Sequence, residues 1–130
     1  MKNGLLISSL LFLLCSFTLT GDYTEVISAI TSTGLPATAK QNKEIKFKIT
    51  SELNNDCAVY SRQETNQKAK FVSVTIYGEY PTSQNCNKVI KEITTYFSFT
   101  PKSKGEYIFQ FTKGLKDGVR EYMTDTLVVK

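Results

Sequence analysis

Apolar and polar residues alternate with a period of two along the stretch 96–111. Pro101 interrupts the alternation, and Gly105 precedes its second half. Because successive side chains of a strand point to opposite faces, the period predicts two adjacent strands in a hairpin, with aromatic rings on one face. The five rings of this predicted core are Phe97, Phe99, Tyr107, Phe109 and Phe111.

Shorter stretches with the same period or with many β-branched residues predict further strands, separated by turn-forming residues. Residues 64–67 and 114–118 are predicted as turns, and 78–88 as a long polar connector. No convincing helical pattern follows the first twenty or so residues. About seven strands therefore predict an all-β, antiparallel β-sandwich. Besides the strands of the central pattern, the predicted strands cover 35–39 at an edge, 44–50, 58–63, 71–77, 89–100 and 121–129.

The start of the chain has a different pattern. Met1-Lys2 gives a positive start, 5–14 is almost unbroken apolar sequence, and Gly21 is a small residue after it. This layout is typical of a secretory signal peptide, predicted over 1–21. A membrane span needs about 20 consecutive apolar residues, and polar residues interrupt this stretch, so export is favoured over a span. The predicted domains are then an arm or first strand over 22–34 and the sandwich over 35–130.

Cys15 lies at the end of the apolar stretch, where a bacterial lipoprotein carries its acylated cysteine. Leu13 and Leu14 stand where such a signal has a small residue. Cleavage near Gly21 is therefore favoured, and a lipid anchor at Cys15 is the alternative. The predicted location is the periplasm, the extracellular space or the cell surface.

Removal of the signal leaves two cysteines, Cys57 and Cys86, and an even pair in an exported domain predicts a disulfide. Two free thiols or a metal pair are the alternatives. The chain has no histidine, and two cysteines alone do not make a zinc site. We predict no metal and no cofactor.

The segment 105–109, Gly-Glu-Tyr-Ile-Phe, resembles the strand before the last in immunoglobulin-like domains, where a Gly-x-Tyr step forms a tyrosine corner. The chain is similar to immunoglobulin-like modules of small exported bacterial proteins. This resemblance implies that Tyr107 forms a tyrosine corner and that Phe109 is buried. Phe109 stands where the family has a cysteine, and the chain has no tryptophan. The resemblance therefore concerns the fold and implies no activity.

Composition excludes several classes of function. Without histidine, catalysis by a histidine base is excluded. Neither a nucleophile elbow nor a phosphate-binding glycine loop occurs, and no pair of carboxylates stands out, so we predict no enzyme. The 16 basic and 12 acidic residues are evenly mixed, which does not predict nucleic-acid binding.

One stretch, 77–87, is rich in tyrosine, serine and asparagine, which dominate recognition loops. An ordinary connector has a similar composition. On the recognition hypothesis the contact residues are Tyr77, Tyr80, Gln84 and Asn85. The predicted function is a secreted or cell-surface, non-catalytic binding or structural module whose partner is an unknown protein or surface polymer. The alternative is a secreted inhibitor of a protease or other hydrolase.

Overall fold

The computed structural model describes residues 21–130, which contain eight β-strands. The predicted signal peptide, except Gly21, and Cys15 lie outside the described residues. In residues 21–130 we find no helix of the length and apolar character that a membrane span requires. The strands are β1 Tyr23–Thr33, β2 Thr38–Ala39, β3 Ile45–Asn54, β4 Val59–Lys68, β5 Phe71–Pro81, β6 Ile90–Phe99, β7 Gly105–Lys116 and β8 Val119–Val129.

The strands form a mixed sheet that curls on itself into a half-barrel. Its hydrogen-bonded order is β2-β8-β7-β5-β1-β3-β6, and β4 pairs with β5. Strand β1 joins the two halves, because 23–28 pairs with β5 whereas 29–33 pairs with β3. A bulge between Ile30 and Ser32 lies in the second part, and bulges bend and twist a strand. The two halves of the sheet thus face each other as the layers of a sandwich.

Two strand pairs are parallel, so the prediction of a wholly antiparallel sandwich of about seven strands is wrong in this detail. Strand β2 runs parallel to β8, and β5 runs parallel to β7. A parallel pair requires a crossover connection. Here β6 supplies it, because the chain leaves β5, passes through the other layer as β6 and returns as β7. Local alternation carries no information about such a crossover.

The predicted hairpin of the two aromatic strands is also wrong. Strand β6 pairs with β3, whereas β7 pairs with β8 and β5, so the two lie in opposite layers. Buried Pro101 follows β6, and the segment 101–104 leads from one layer to the other. The alternation correctly predicts that the rings point inward. They contact one another across the interior, between the two layers, and not along a single hairpin. Phe99 contacts Tyr107 and Phe109 edge to face, at centroid distances of 5.5 and 5.3 Å.

The aromatic cluster is the centre of the core. Phe47 from β3 joins it and lies 5.3 Å from Phe97 and 6.1 Å from Phe109. Edge-to-face rings contribute favourable electrostatic contacts in addition to the apolar area they bury. Aliphatic side chains from both layers complete the core: Ile30, Ile49, Val72, Val74, Ile76, Leu127 and Val129.

Two strands continue through predicted turns. Strand β4 includes 64–67 and ends at a tight turn where Ala69 has a φ of 53°. Strand β7 continues to Lys116, and the turn is only Asp117-Gly118, with φ values of 51° and 77°. Both stretches lie at exposed strand edges or tips, where polar residues are common. Turns have a similar composition, so composition alone does not distinguish the two.

The buried ring of Phe109 gives a test of the core. We expect Phe109→Ala to lower the free energy of unfolding by about 3–5 kcal/mol, because it leaves a cavity between the layers. Phe71→Ala is the matched control, since this ring is 41% exposed on the outer face of β5. Urea unfolding followed by circular dichroism measures both. Equal losses for the two variants would contradict the assignment of Phe109 to the core.

Candidate functional site

One end of the sandwich is closed by a covalent and hydrogen-bonded clamp, formed by Asp56, Cys57, Cys86 and Asn87. The two cysteines form a disulfide with their Cα atoms 5.7 Å apart. The Asp56 carboxylate accepts hydrogen bonds from the backbone N–H and the side-chain Nδ2 of Asn87, each 2.8 Å long. The backbone N–H of Asp56 donates to the Asn87 carbonyl at 3.1 Å. The clamp therefore fixes the connector 82–89 against the turn that follows β3.

A cleft of about 440 Å³ lies beside the clamp. Its apolar part comes from β1 and the end of β3, and its polar part from the β3–β4 turn, β5 and the connector. Leu53 packs over Gly78, where a Cβ atom would overlap the Leu53 Cδ1. The missing side chain of Gly78 therefore gives Leu53 its position in the cleft wall. The lining residues are Val26, Ile27, Leu53, Asn54, Asn55, Tyr80, Cys86 and Lys88.

The structure does not bring the four predicted contact residues together. Tyr77 and Tyr80 belong to β5, which extends to Pro81 because it pairs with β1 as far as Tyr23. Three positions apart on a strand, they point to opposite faces. Tyr80 lines the cleft, whereas Gln84 and Asn85 are exposed in the connector.

Sequence reasoning missed three polar residues of the cleft: Asn54, Asn55 and Lys88. Asn55 also stabilises the turn after β3, since its Oδ1 accepts a hydrogen bond from the Cys57 N–H at 2.9 Å. The available signal was the disulfide, because it draws the segment before Cys57 towards the segment after Cys86. No pattern in the sequence shows that a cavity opens beside it.

Tyr77 lies on the outer face in a cluster of charged side chains. The Arg62 guanidinium is 3.8 Å from the Tyr77 ring centroid and forms a 2.9 Å ion pair with Glu25. Hydrogen bonds from Ser61 and Arg62 hold the pKa of the Glu25 carboxyl below its usual value. Arg120, near the tip of the β7–β8 hairpin, donates to the Tyr77 hydroxyl at 3.3 Å. The Tyr77 side chain thus contacts β4 and β8 directly, reaches β1 only through Arg62, and lies away from the cleft.

The Tyr107 hydroxyl bonds to the turn that precedes β7. Its ring is 2% exposed, and its oxygen accepts a hydrogen bond from the Ser103 backbone N–H at 3.2 Å. The Ser103 hydroxyl lies 3.0 Å from the same oxygen. A tyrosine corner likewise bonds its hydroxyl to backbone a few residues upstream.

The clamp also contains a group of side chains close enough together to hold a metal ion. Within residues 21–130, Asp56, Cys57 and Cys86 place one ligand atom each within 4.8 Å of the others. Sulfur binds metals as a thiolate, and both sulfurs here are in the disulfide. The Asp56 carboxylate already accepts two hydrogen bonds from Asn87. We assign these groups to the clamp and to no metal.

Residues 21–130 thus form an all-β sandwich with one end clamped by a disulfide, and the predicted sandwich class is confirmed. The chain belongs to the ORF11 beta-sandwich domain family, whose model matches residues 47–124. The match runs from β3 into β8 and includes the clamp, Tyr80 and all six rings of the aromatic cluster. No curated protein and no solved structure matches the chain.

The Tyr107 contact gives a prediction that concerns one hydrogen bond. We expect Tyr107→Phe to lower the free energy of unfolding by about 1–3 kcal/mol, because the Ser103 N–H loses its acceptor in a partly buried site. Tyr122→Phe serves as the control, because Tyr122 is 43% exposed. Chemical unfolding measures the difference between the variants, and an unchanged stability of Tyr107→Phe would refute a structural role of this hydroxyl.

The clamp gives a second prediction. We expect Cys57→Ser with Cys86→Ser to cost about 3–4 kcal/mol of stability, since the disulfide closes a loop between residues 29 positions apart. Reduced wild-type protein should unfold at the same urea concentration as this variant. The intact mass of the non-reduced protein checks the bond directly, and two thiols that react with iodoacetamide without reduction would disprove it.

Proposed function

We propose that the chain is an exported, non-catalytic binding module and that the cleft beside the clamp is its ligand site. The observation that carries this proposal is the cleft of about 440 Å³ next to a disulfide. Ligand sites commonly have volumes of about 300–1,000 Å³, with apolar walls and a few polar groups that orient the ligand. The absence of histidine supports a non-catalytic role.

The clamp favours binding because it limits the movement of one cleft wall. Cys86 and Lys88 lie in the connector, which has no strand partner and is attached to the turn through Cys57 and Asn87. Restricting a loop before binding reduces the entropy that is lost when the ligand arrives. A covalently restricted wall therefore suits recognition better than a free loop of the same composition.

The lining residues suggest the chemistry of the ligand. Leu53 and Val26 are apolar residues of the lining, and Tyr80 and Lys88 are lining residues that carry a hydroxyl and a positive charge. Such a site suits a group with an apolar body and a polar or anionic end. In a protein partner this is a side chain beside a carboxylate, and in a surface polymer it is an acidic sugar.

Export is part of the proposal, with residues 1–21 as the signal peptide and the periplasm, extracellular space or cell surface as the location. The disulfide supports it, because disulfides persist in oxidising compartments. A lipid anchor at Cys15 is the alternative form of the exported chain. The Tyr107–Ser103 contact supports a relation to immunoglobulin-like modules of exported bacterial proteins, and the parallel β5–β7 pair departs from their topology.

A second candidate function, inhibition of a protease or other hydrolase, is favoured by the connector itself. Residues 82–85 are exposed. Thr82 donates from its N–H and its hydroxyl to the Asp22 carbonyl, at 3.0 and 2.8 Å, and the clamp holds the other end. An exposed loop fixed at both ends has the form in which an inhibitor blocks an active site. Gln84 and Asn85 are the contact residues in this case.

The two functions predict different sensitive residues. With cleft binding, Tyr80→Ala should abolish the chemical-shift changes that short acidic peptides or oligosaccharides induce in the ¹⁵N-labelled protein. Gln84→Ala with Asn85→Ala should leave these changes intact. With inhibition, the loop variant should lose activity against a panel of secreted hydrolases and Tyr80→Ala should retain it.

Tyr122→Ala is the matched control for loss of a tyrosine outside the cleft. All variants should keep the wild-type spectrum in the core, which excludes unfolding as the cause. Ligand-induced shifts that are confined to the outer face of either layer would refute cleft binding, and a wild-type protein that inhibits no hydrolase of the panel would refute inhibition.

A further inference from the structure

The outward side chains of β3 and β6 form a largely polar surface, the β3–β6 face. Lys46, Lys48 and exposed Tyr96 occupy one end, and Glu52 and Glu92 lie directly opposite each other at the other end. The Thr50–Thr94 pair separates the two ends. The face therefore has a basic half and an acidic half.

Among the residues that the structure describes, none of these four charged groups forms an ion pair. The Lys46 ammonium lies 5.4 Å from the Tyr96 ring centroid. Like charges directly opposite each other on neighbouring strands destabilise a sheet, so the Glu52–Glu92 pair has a cost within one copy.

The order of the charges makes the face complementary to itself. Lys48 and Glu52 are equally far from Thr50 along β3, by two residues each, and so are Tyr96 and Glu92 from Thr94 along β6. A two-fold rotation about the Thr50–Thr94 row reverses the strands of a second copy stacked on this face. It places Lys48 of each copy against Glu52 of the other, and Glu92 against Tyr96.

We propose that a second copy of this chain docks on the β3–β6 face and that the pair is a symmetric dimer with its axis along the Thr50–Thr94 row. Closed two-fold pairs use the same surface on both subunits, which requires self-complementarity of this kind. Each carboxylate then gains an opposite charge or a hydroxyl that it lacks in one copy. The proposal is independent of the cleft, whose ligand is a different molecule.

The size of the face determines the strength of the dimer. Ten residues at about 3.3 Å each, across two strands spaced by about 4.8 Å, cover on the order of 300 Å² per copy. Such a pair buries less than the roughly 1,200–2,000 Å² of stable complexes. The dimer is therefore weak and depends on ionic strength, since its contacts are largely between charges at a surface.

Charge reversal of each half tests the proposal in the purified protein. The acidic variant carries Lys46→Glu and Lys48→Glu, and the basic variant carries Glu52→Lys and Glu92→Lys. Sedimentation at low salt should give weak dimers for the wild type and about ten-fold weaker association or more for each variant alone, because each face then repels itself. An equimolar mixture of the two variants should associate again, and so should a chain with all four substitutions.

Lys102→Glu with Lys104→Glu is the matched control, because it changes the net charge equally in the segment between β6 and β7. This control should dimerise like the wild type. Recovery in the mixture also shows that both variants are folded. A wild type that stays monomeric at about 1 mM, or a mixture that fails to associate, would overturn the proposal. A dimer that withstands both variants would lie elsewhere, such as the free edge of β6, and would overturn it equally.

Discussion

The contact between aromatic rings of the two layers is the interaction on which the rest of the structure depends. Within residues 21–130, strand pairing connects the two layers only through β1, which passes from β5 to β3. The faces of the curled sheet therefore stay together because Phe47, Phe97 and Phe99 pack against the rings of β7. Sheet hydrogen bonding sets the order of the strands, and ring packing sets the angle at which the sheet closes. The cleft depends on this closure, because its lining includes residues of β3 and of β5.

Closure also creates a junction where backbone and hydroxyl groups are buried, and the sequence provides partners there. Strands β1 and β7 share one edge of β5, the first pairing with 76–81 and the second with 71–74. Around this junction, the buried hydroxyls of Thr75 and Thr112 lie 2.7 Å apart, and Ser28 donates to Ser51 at 2.9 Å. Buried polar groups without partners destabilise a core, whereas these paired hydroxyls do not. The Ser28–Ser51 pair lies on the inward side of the sheet, whereas Thr75 and Thr112 alternate with the core residues of β5 and β7 and lie on the opposite side. Both pairs satisfy buried hydroxyls close to the point where the sheet branches at β5.

The sequence predicts those features of the fold that depend on local alternation. The inward positions of Phe97, Phe99, Tyr107 and Phe109 follow from period two, and so does the class of the domain. Strand partners do not, because the alternation of β6 is the same whether it pairs with β7 or with β3. The sequence predicts no cleft, and of the four predicted contact residues only Tyr80 lines it, since its other walls come from β1, the end of β3 with the turn after it, and the connector. The sequence shows which residues of β3 and β6 are charged. It does not show that Glu52 and Glu92, 40 positions apart, lie opposite each other, because that depends on the register of the two strands.

The positions of the cleft and the β3–β6 face relate the two proposals to each other. Asn54, the last residue of β3, lines the cleft, and it lies at the acidic end of the face. A two-fold axis along the Thr50–Thr94 row would place the clefts of the two copies at opposite ends of the dimer. Two sites on one particle increase the apparent affinity only for a ligand that reaches both, such as a polymer or a surface with repeated groups. A weak dimer with distant clefts therefore suits a repetitive partner better than a single soluble molecule.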